Sequence, residues 1–326
     1  MNDSQVHAVV VTGSIGIVIC CLLTAFSNSF TITLILKSAK LRSQVTYNLV
    51  CLLSISDLLA SLGGMMQGSL SLRFGPHAGS AGLNQTDLHD GICQWVGAFG
   101  FFCLYSSTTG QALIAINRLL AVFMPIVYIQ TFTKERSILI WIFVIWVPLF
   151  ILIFILGGSQ TLGGFMVMPE YGICTVDYRF RLWGDVILYS FLYTPCVIIL
   201  LCYAAIFIKL QTATSVANKT ELQKRARGSK MMFWSFVVLV LCIIPTPIYY
   251  SSISPMDLTP RSPIGALVYG LITFYDLNFG INLIFYIFCN PTFKREAKIL
   301  LSSTILRNKI EHWFSHRPHF GNDIPF

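Results

Sequence analysis

One acid in an apolar setting opens the chemistry of this chain. Asp57 stands in Leu53-Ser54-Ile55-Ser56-Asp57-Leu58-Leu59, with no other charge nearby. Asn28, Ser107, Asp276, Asn278 and Asn282 lie in equally apolar runs elsewhere. Asn278 and Asn282 are four residues apart and share a face if the segment is helical. A carboxylate ringed by Asn, Ser and backbone oxygens suits a small hard cation such as Na⁺. The same groups also suit a network of hydrogen bonds gluing helices together, each worth under about 1 kcal/mol. Spacing leaves both readings open. Arg118 closes another apolar run, Ile116-Asn117-Arg118-Leu119-Leu120-Ala121-Val122-Phe123-Met124-Pro125. At a helix end such a side chain snorkels to the interface or serves as a switch. Catalytic groups are missing from these runs. All six histidines (His7, His77, His89, His312, His316, His319) fall outside them or at their edges, so no enzyme is expected.

The elements that hold these groups follow from composition. The chain has 326 residues, of which 55% are hydrophobic and 11% charged. Soluble domains carry roughly 25% charged residues, and so apolar a surface in water would aggregate. Disorder is excluded as well, because 25 Phe, 13 Tyr and 6 Trp supply ample surface to bury. The bilayer remains as solvent. Seven runs are long enough to cross it as helices, near 9–36, 45–71, 92–122, 137–157, 185–209, 230–253 and 264–289. The expected fold is an all-α membrane protein, a seven-transmembrane helix bundle. The first run has no basic residues ahead of it and is too long for a cleaved signal. Pro148, Pro195, Pro245 and Pro247 lie within runs, where each frees backbone carbonyls and allows a kink.

Charge sets the orientation. Eighteen Lys and Arg fall after runs one, three, five and seven, and four (Arg73, Arg179, Arg181, Arg261) on the opposite side. Basic loops stay cytoplasmic. The N-terminus is therefore expected outside and the C-terminus inside a plasma-membrane, multi-pass protein. The net charge of +8 is read as topology rather than as affinity for nucleic acid. The basic segment 219–230 is expected on the cytoplasmic side, where it meets a G protein or anionic lipid or serves only to enforce topology. Sequons at Asn2 and Asn84 lie on the outer side, where glycosylation occurs. Of ten cysteines, only Cys93 and Cys174 fall at run edges or in polar stretches, both on the outer side. No cysteine spacing matches a zinc or redox site.

These residues together resemble the rhodopsin-like family of G-protein-coupled receptors, over roughly 10–302. The resemblance rests on Asn28, on Leu53 with Asp57, on Cys93 twenty-five residues before Arg118, and on Pro125 seven after it. Pro195 with Tyr203, Cys242-Ile243-Ile244-Pro245 and Asn282-Leu283-Ile284-Phe285-Tyr286 continue the order. Asn290-Pro291-Thr292-Phe293-Lys294-Arg295 is similar to the start of the family's amphipathic helix beneath the membrane. The expected organisation is then a short extracellular N-terminus (1–8), the bundle (9–289), the juxtamembrane helix (290–302) and a cytoplasmic tail (303–326). Departures stand beside the matches: Asn117 where an acid is usual, Ile243 for tryptophan, Leu283 for proline. The Asn117-Arg118 pair, with Pro125, Tyr128 and Phe132, is similar to the nematode chemosensory receptor branch.

The resemblance implies a receptor that binds an extracellular ligand and activates a heterotrimeric G protein. It implies a disulfide between Cys93 and Cys174. It implies a sodium pocket of Asp57, Ser107, Asn278 and Asn282, with allosteric Na⁺ the one cofactor, and G-protein switch residues Asn117, Arg118, Tyr203 and Tyr286. The ligand pocket maps to Phe101, Leu104, Ile187, Phe191, Thr246, Tyr250, Leu271 and Tyr275. Gly100 replaces the aspartate of amine receptors and Tyr275 the retinal lysine of opsins. A small apolar molecule or the hydrophobic end of a peptide suits that lining. Without an acid beside Arg118 the guanidinium lacks its restraint, so raised basal activity is expected. The rival is a secondary transporter of a small solute, which calls for inverted repeats and paired broken helices; neither is visible.

Overall fold

The computed structural model describes residues 3–74, 86–156, 163–168, 173–176, 181–212, 237, 279–284, 286–288 and 290–302. Among the described residues, five helical stretches are long and apolar enough to cross a membrane: His7–Lys37, Val45–Arg73, Gly91–Phe123, Lys134–Ile155 and Leu182–Lys209. These correspond to the first five expected runs. A shorter apolar helix, Phe279–Phe288, corresponds to the end of the seventh. Run 230–253 and most of run 264–289 lie outside the described residues.

The first span lies in α1 (Asp3–Lys37), which starts six residues before the expected boundary. A four-residue turn, α2 (Ala39–Arg42), follows, capped by Ser38, whose hydroxyl accepts from the Leu41 amide at 3.3 Å. The second span is α3 (Val45–Phe74) and the third α4 (Thr86–Phe123). Next comes α5 (Pro125–Thr131), a short helix in the connection after the third run; Pro125 occupies the helix start that its missing N–H favours. Then α1 packs along α3, α3 along α4, and α4 along α9 (Thr194–Gln211). The long helix α4 is therefore the spine of the bundle.

Large side chains such as Phe26, Trp95 and Phe143 face outward, while Ser14, Thr24, Ser56, Asp57 and Ser107 are buried. Such an arrangement suits lipid, which solvates apolar groups and leaves small polar ones to join helices. Gly110 shows how close the approach becomes. A Cβ there would sit 2.3 Å from the Trp141 ring, so only glycine admits the fully buried tryptophan between α4 and the fourth span.

The fourth and fifth spans are not uniform α-helices. The fourth runs α6 (Lys134–Ile140), a π-helical turn Trp141–Trp146, α7 (Val147–Phe150) and a second π-helical stretch Ile151–Leu156. The fifth runs α8 (Arg181–Leu188), π-helical Tyr189–Tyr193 and α9 (Thr194–Gln211). Pro148 and Pro195 each follow a wide turn, which takes up the hydrogen bond that proline cannot donate. Ahead of Pro195, the Tyr189 carbonyl accepts both the Thr194 amide and, at 2.9 Å, the Thr194 hydroxyl. Pro245 and Pro247 lie outside the described residues.

One element departs from the all-helical expectation. The outer stretch between the fourth and fifth spans contains an antiparallel pair, β1 (Phe165–Met168) and β2 (Ile173–Val176), in the register Phe165 opposite Val176 and Val167 opposite Cys174. A two-stranded ribbon is marginal alone. Here it leans on α4, with which both strands make contact.

Candidate functional site

Three layers of residues follow one another down the bundle. At mid-depth Asp57 is fully buried. Ser107 Oγ on α4 donates to Asp57 Oδ1 at 2.5 Å, and Asn282 Nδ2 donates to Oδ2 at 3.1 Å. Groups 50 and 225 residues away in sequence thus meet on one carboxylate. Asn28 does not join them. Its amide donates to the carbonyls of Thr24 and Phe279, each at 3.0 Å, and so ties the first span to the seventh. Ser27 adds a second tie, donating to the Gly280 carbonyl at 2.8 Å. Asn278 lies outside the described residues. Among the described residues no cation pairs with Asp57. A buried carboxylate without a counter-charge, beside hydroxyl and amide groups, has the hard-oxygen character that suits Na⁺.

A neighbouring chain of hydrogen bonds was not legible in the sequence. Trp146 Nε1 donates to Ser106 Oγ at 2.8 Å, and Ser106 Oγ lies 3.0 Å from Ser56 Oγ. It links the fourth, third and second spans one residue away from Asp57 and Ser107.

At the inner end, Asn117 is fully buried, and neither its Oδ1 nor its Nδ2 has a hydrogen-bond partner among the described residues. The same holds for Arg118 Nε and the Tyr286 hydroxyl. Tyr203 and Tyr286 are buried, and so is Tyr47 of α3. Tyr47 was not anticipated. Its hydroxyl accepts from Asn290 Nδ2 at 2.8 Å, while Asn290 Oδ1 accepts from the amides of Thr292 and Phe293 and caps the helix 291–302. Phe293 is buried and packs 5.3 Å from the Tyr286 ring. Beside it Ser38 donates to Glu296 at 3.1 Å. The Arg295 side chain donates to the same carboxyl and holds it below the usual carboxylate range.

At the outer end, Cys93 and Cys174 form the disulfide, with Cα atoms 5.2 Å apart. Phe101, Leu104, Ile187 and Phe191, all expected to line a ligand pocket, pack in the main apolar core, which runs on as far as Leu41 and Phe293. Tyr105 links two of them, its ring 5.8 Å from Phe101 and 6.5 Å from Phe191. Thr246, Tyr250, Leu271 and Tyr275 lie outside the described residues, as do Asn2 and Asn84. Phe165 and Trp183 complete the cluster. Nothing in sequence marked Phe165, one phenylalanine among many in an outer loop.

Residues 27–275 match the family described as 7 transmembrane receptor (rhodopsin family). The chain belongs to that family. It is a G-protein-coupled receptor, a multi-pass membrane protein rather than an enzyme, and its class works through a ligand and a heterotrimeric G protein. Among solved structures, squid rhodopsin is similar in fold, with a TM-score of 0.71 at 16% identity over 94% of this chain and 87% of that one. No curated protein sequence matches the chain.

Proposed function

We propose that the protein is a plasma-membrane receptor with its N-terminus outside, detecting a small apolar molecule or the hydrophobic end of a peptide. Binding near Phe101, Leu104, Ile187 and Phe191 shifts the inner ends of the spans and opens a surface for the G protein. The buried Asp57, joined to both Ser107 and Asn282, carries this reading. It couples the second, third and seventh spans at one charged point, so a change in one is felt by all. Asp57, Ser107 and Asn282, with Asn278, would hold Na⁺, which would supply the missing counter-charge and favour one arrangement of the spans. Arg118, Tyr203 and Tyr286 act as the inner switch, with Asn117 in place of an acid. A chemosensory role accords with that Asn-Arg pair and with the apolar outer cluster.

The test is a ligand screen in cells carrying a promiscuous G-protein reporter, with surface labelling to establish that the receptor arrives. Ligand-dependent nucleotide exchange supports the proposal; solute flux in vesicles without exchange would move it to a transporter. Basal output is the second measurement. Asn117→Asp restores a carboxylate beside Arg118 and is expected to lower ligand-free signalling; unchanged output removes that part of the reading.

A further inference from the structure

The outer face of α4 carries a seat for one side chain. Gln94, Gly97 and Phe101 follow at helical spacings of three and four and share a face. Each meets Phe165, the first residue of β1. The buried Gln94 side chain accepts the Phe165 amide proton, Oε1 to N at 2.9 Å. At Gly97 a Cβ would fall 2.8 Å from the Phe165 ring carbons, so any larger residue expels the ring. Phe101 lies 5.3 Å away, ring centre to ring centre. Trp183 closes the other side, edge-on at 5.4 Å, itself fixed by a hydrogen bond from Nε1 to the Leu152 carbonyl. Phe165 is only 5% exposed, although it belongs to an outer loop. The loop cannot drift away, because Cys174 on the paired strand is bonded to Cys93, one residue from Gln94.

We propose that Phe165 is a built-in occupant of the outer ligand pocket. The diffusible ligand then carries an aromatic or compact apolar group that takes the place of this ring. The idea rests on the reading that the cluster around Phe101 and Phe191 is the ligand site. Three observations support an occupant over ordinary packing. The ring enters from a loop and not from a span. Its seat is cut by a glycine in the middle of a helix, where glycine is otherwise unfavourable. Its backbone is held by a buried amide side chain placed beside the disulfide. Tethering gives the ring a high effective concentration, so a competing ligand must offer equal aromatic contact.

The experiment uses the full chain, purified in detergent, with indole as the probe and thermal unfolding as the readout. Phe165→Ala is expected to lower the midpoint by on the order of 5–10 °C. Millimolar indole should return at least half of that loss and leave the wild type unmoved, since an apolar cavity of ring size takes up a free aromatic. Gly97→Ala should lower the midpoint without recovery, because its methyl group fills the notch the probe would enter. An unchanged midpoint in F165A, or a loss that indole leaves untouched, overturns the proposal. If F165A yields no folded protein, G97A decides alone: stability equal to wild type overturns the seat, and a lowered midpoint supports it. G-protein output is read separately. Indole recovery without reporter response in any variant keeps the aromatic seat and removes the reading of this cluster as the ligand site; a working reporter without recovery removes the occupant alone.

Discussion

The two ends of the bundle are built on opposite principles. At the disulfide end the described polar contacts are made: Gln94 holds the Phe165 amide, Trp183 donates to the Leu152 carbonyl, and a disulfide closes the ribbon onto α4. Inside, Asn117, Arg118 Nε and the Tyr286 hydroxyl are buried without partners among the described residues. A buried polar atom left unpaired costs about 1–3 kcal/mol. Rearrangement at the outer end therefore breaks good contacts, whereas rearrangement at the inner end has partners to gain. The difference teaches where motion costs less: at the end that holds Asn117 and Arg118 rather than at the end closed by the disulfide.

Four substitutions test this contrast, from the largest expected effect on stability to the smallest. Cys93→Ser removes the covalent tie and should cost about 2–5 kcal/mol with loss of surface receptor; thermal unfolding and surface labelling would show it, and an unchanged midpoint would mean the outer end is not held by this bond. Gln94→Leu keeps the bulk but strands the Phe165 amide, at about 1–3 kcal/mol. A cost near zero would break the account of the seat. Tyr47→Phe deletes the bond to Asn290 at the inner rim and should cost about 1 kcal/mol, read again from the unfolding midpoint. Asn117→Leu is the sharpest, because it replaces an amide that has no partner among the described residues with an apolar side chain of similar size. Its stability should be equal to or above the wild type, while G-protein output changes. A clear loss of stability would show that Asn117 is satisfied in the folded protein, and the two ends would then be alike.

Much of the fold was legible because the bilayer imposes simple rules. Five of the expected spans appear with ends close to their hydrophobic limits, and Asn290-Pro291 starts the helix 291–302 where the motif suggested. The site was legible by residue type but not by contact. Asp57 stood out because a carboxylate is costly in an apolar run, and Ser107 and Asn282 do reach it. Asn28 stood out for the same reason, yet it serves the Thr24 and Phe279 carbonyls instead. Tyr47 escaped notice because a tyrosine near a span end is ordinary; its role depends on Asn290, 243 residues away. The prolines marked irregular places, but a kink and a wide turn both relieve the same missing donor, so the π-helical form was not foreseeable.

By itself the sequence determined the solvent, the helical state and the costly residues. Backbone groups in lipid must be satisfied within their own segment, and that constraint acts on each run separately. Tertiary structure alone decided which polar groups meet, which glycine faces which ring, and that a loop phenylalanine turns inward. Those outcomes depend on distances between segments far apart in the chain, where a shift of an ångström decides whether a ring fits beside Gly97 or clashes with it.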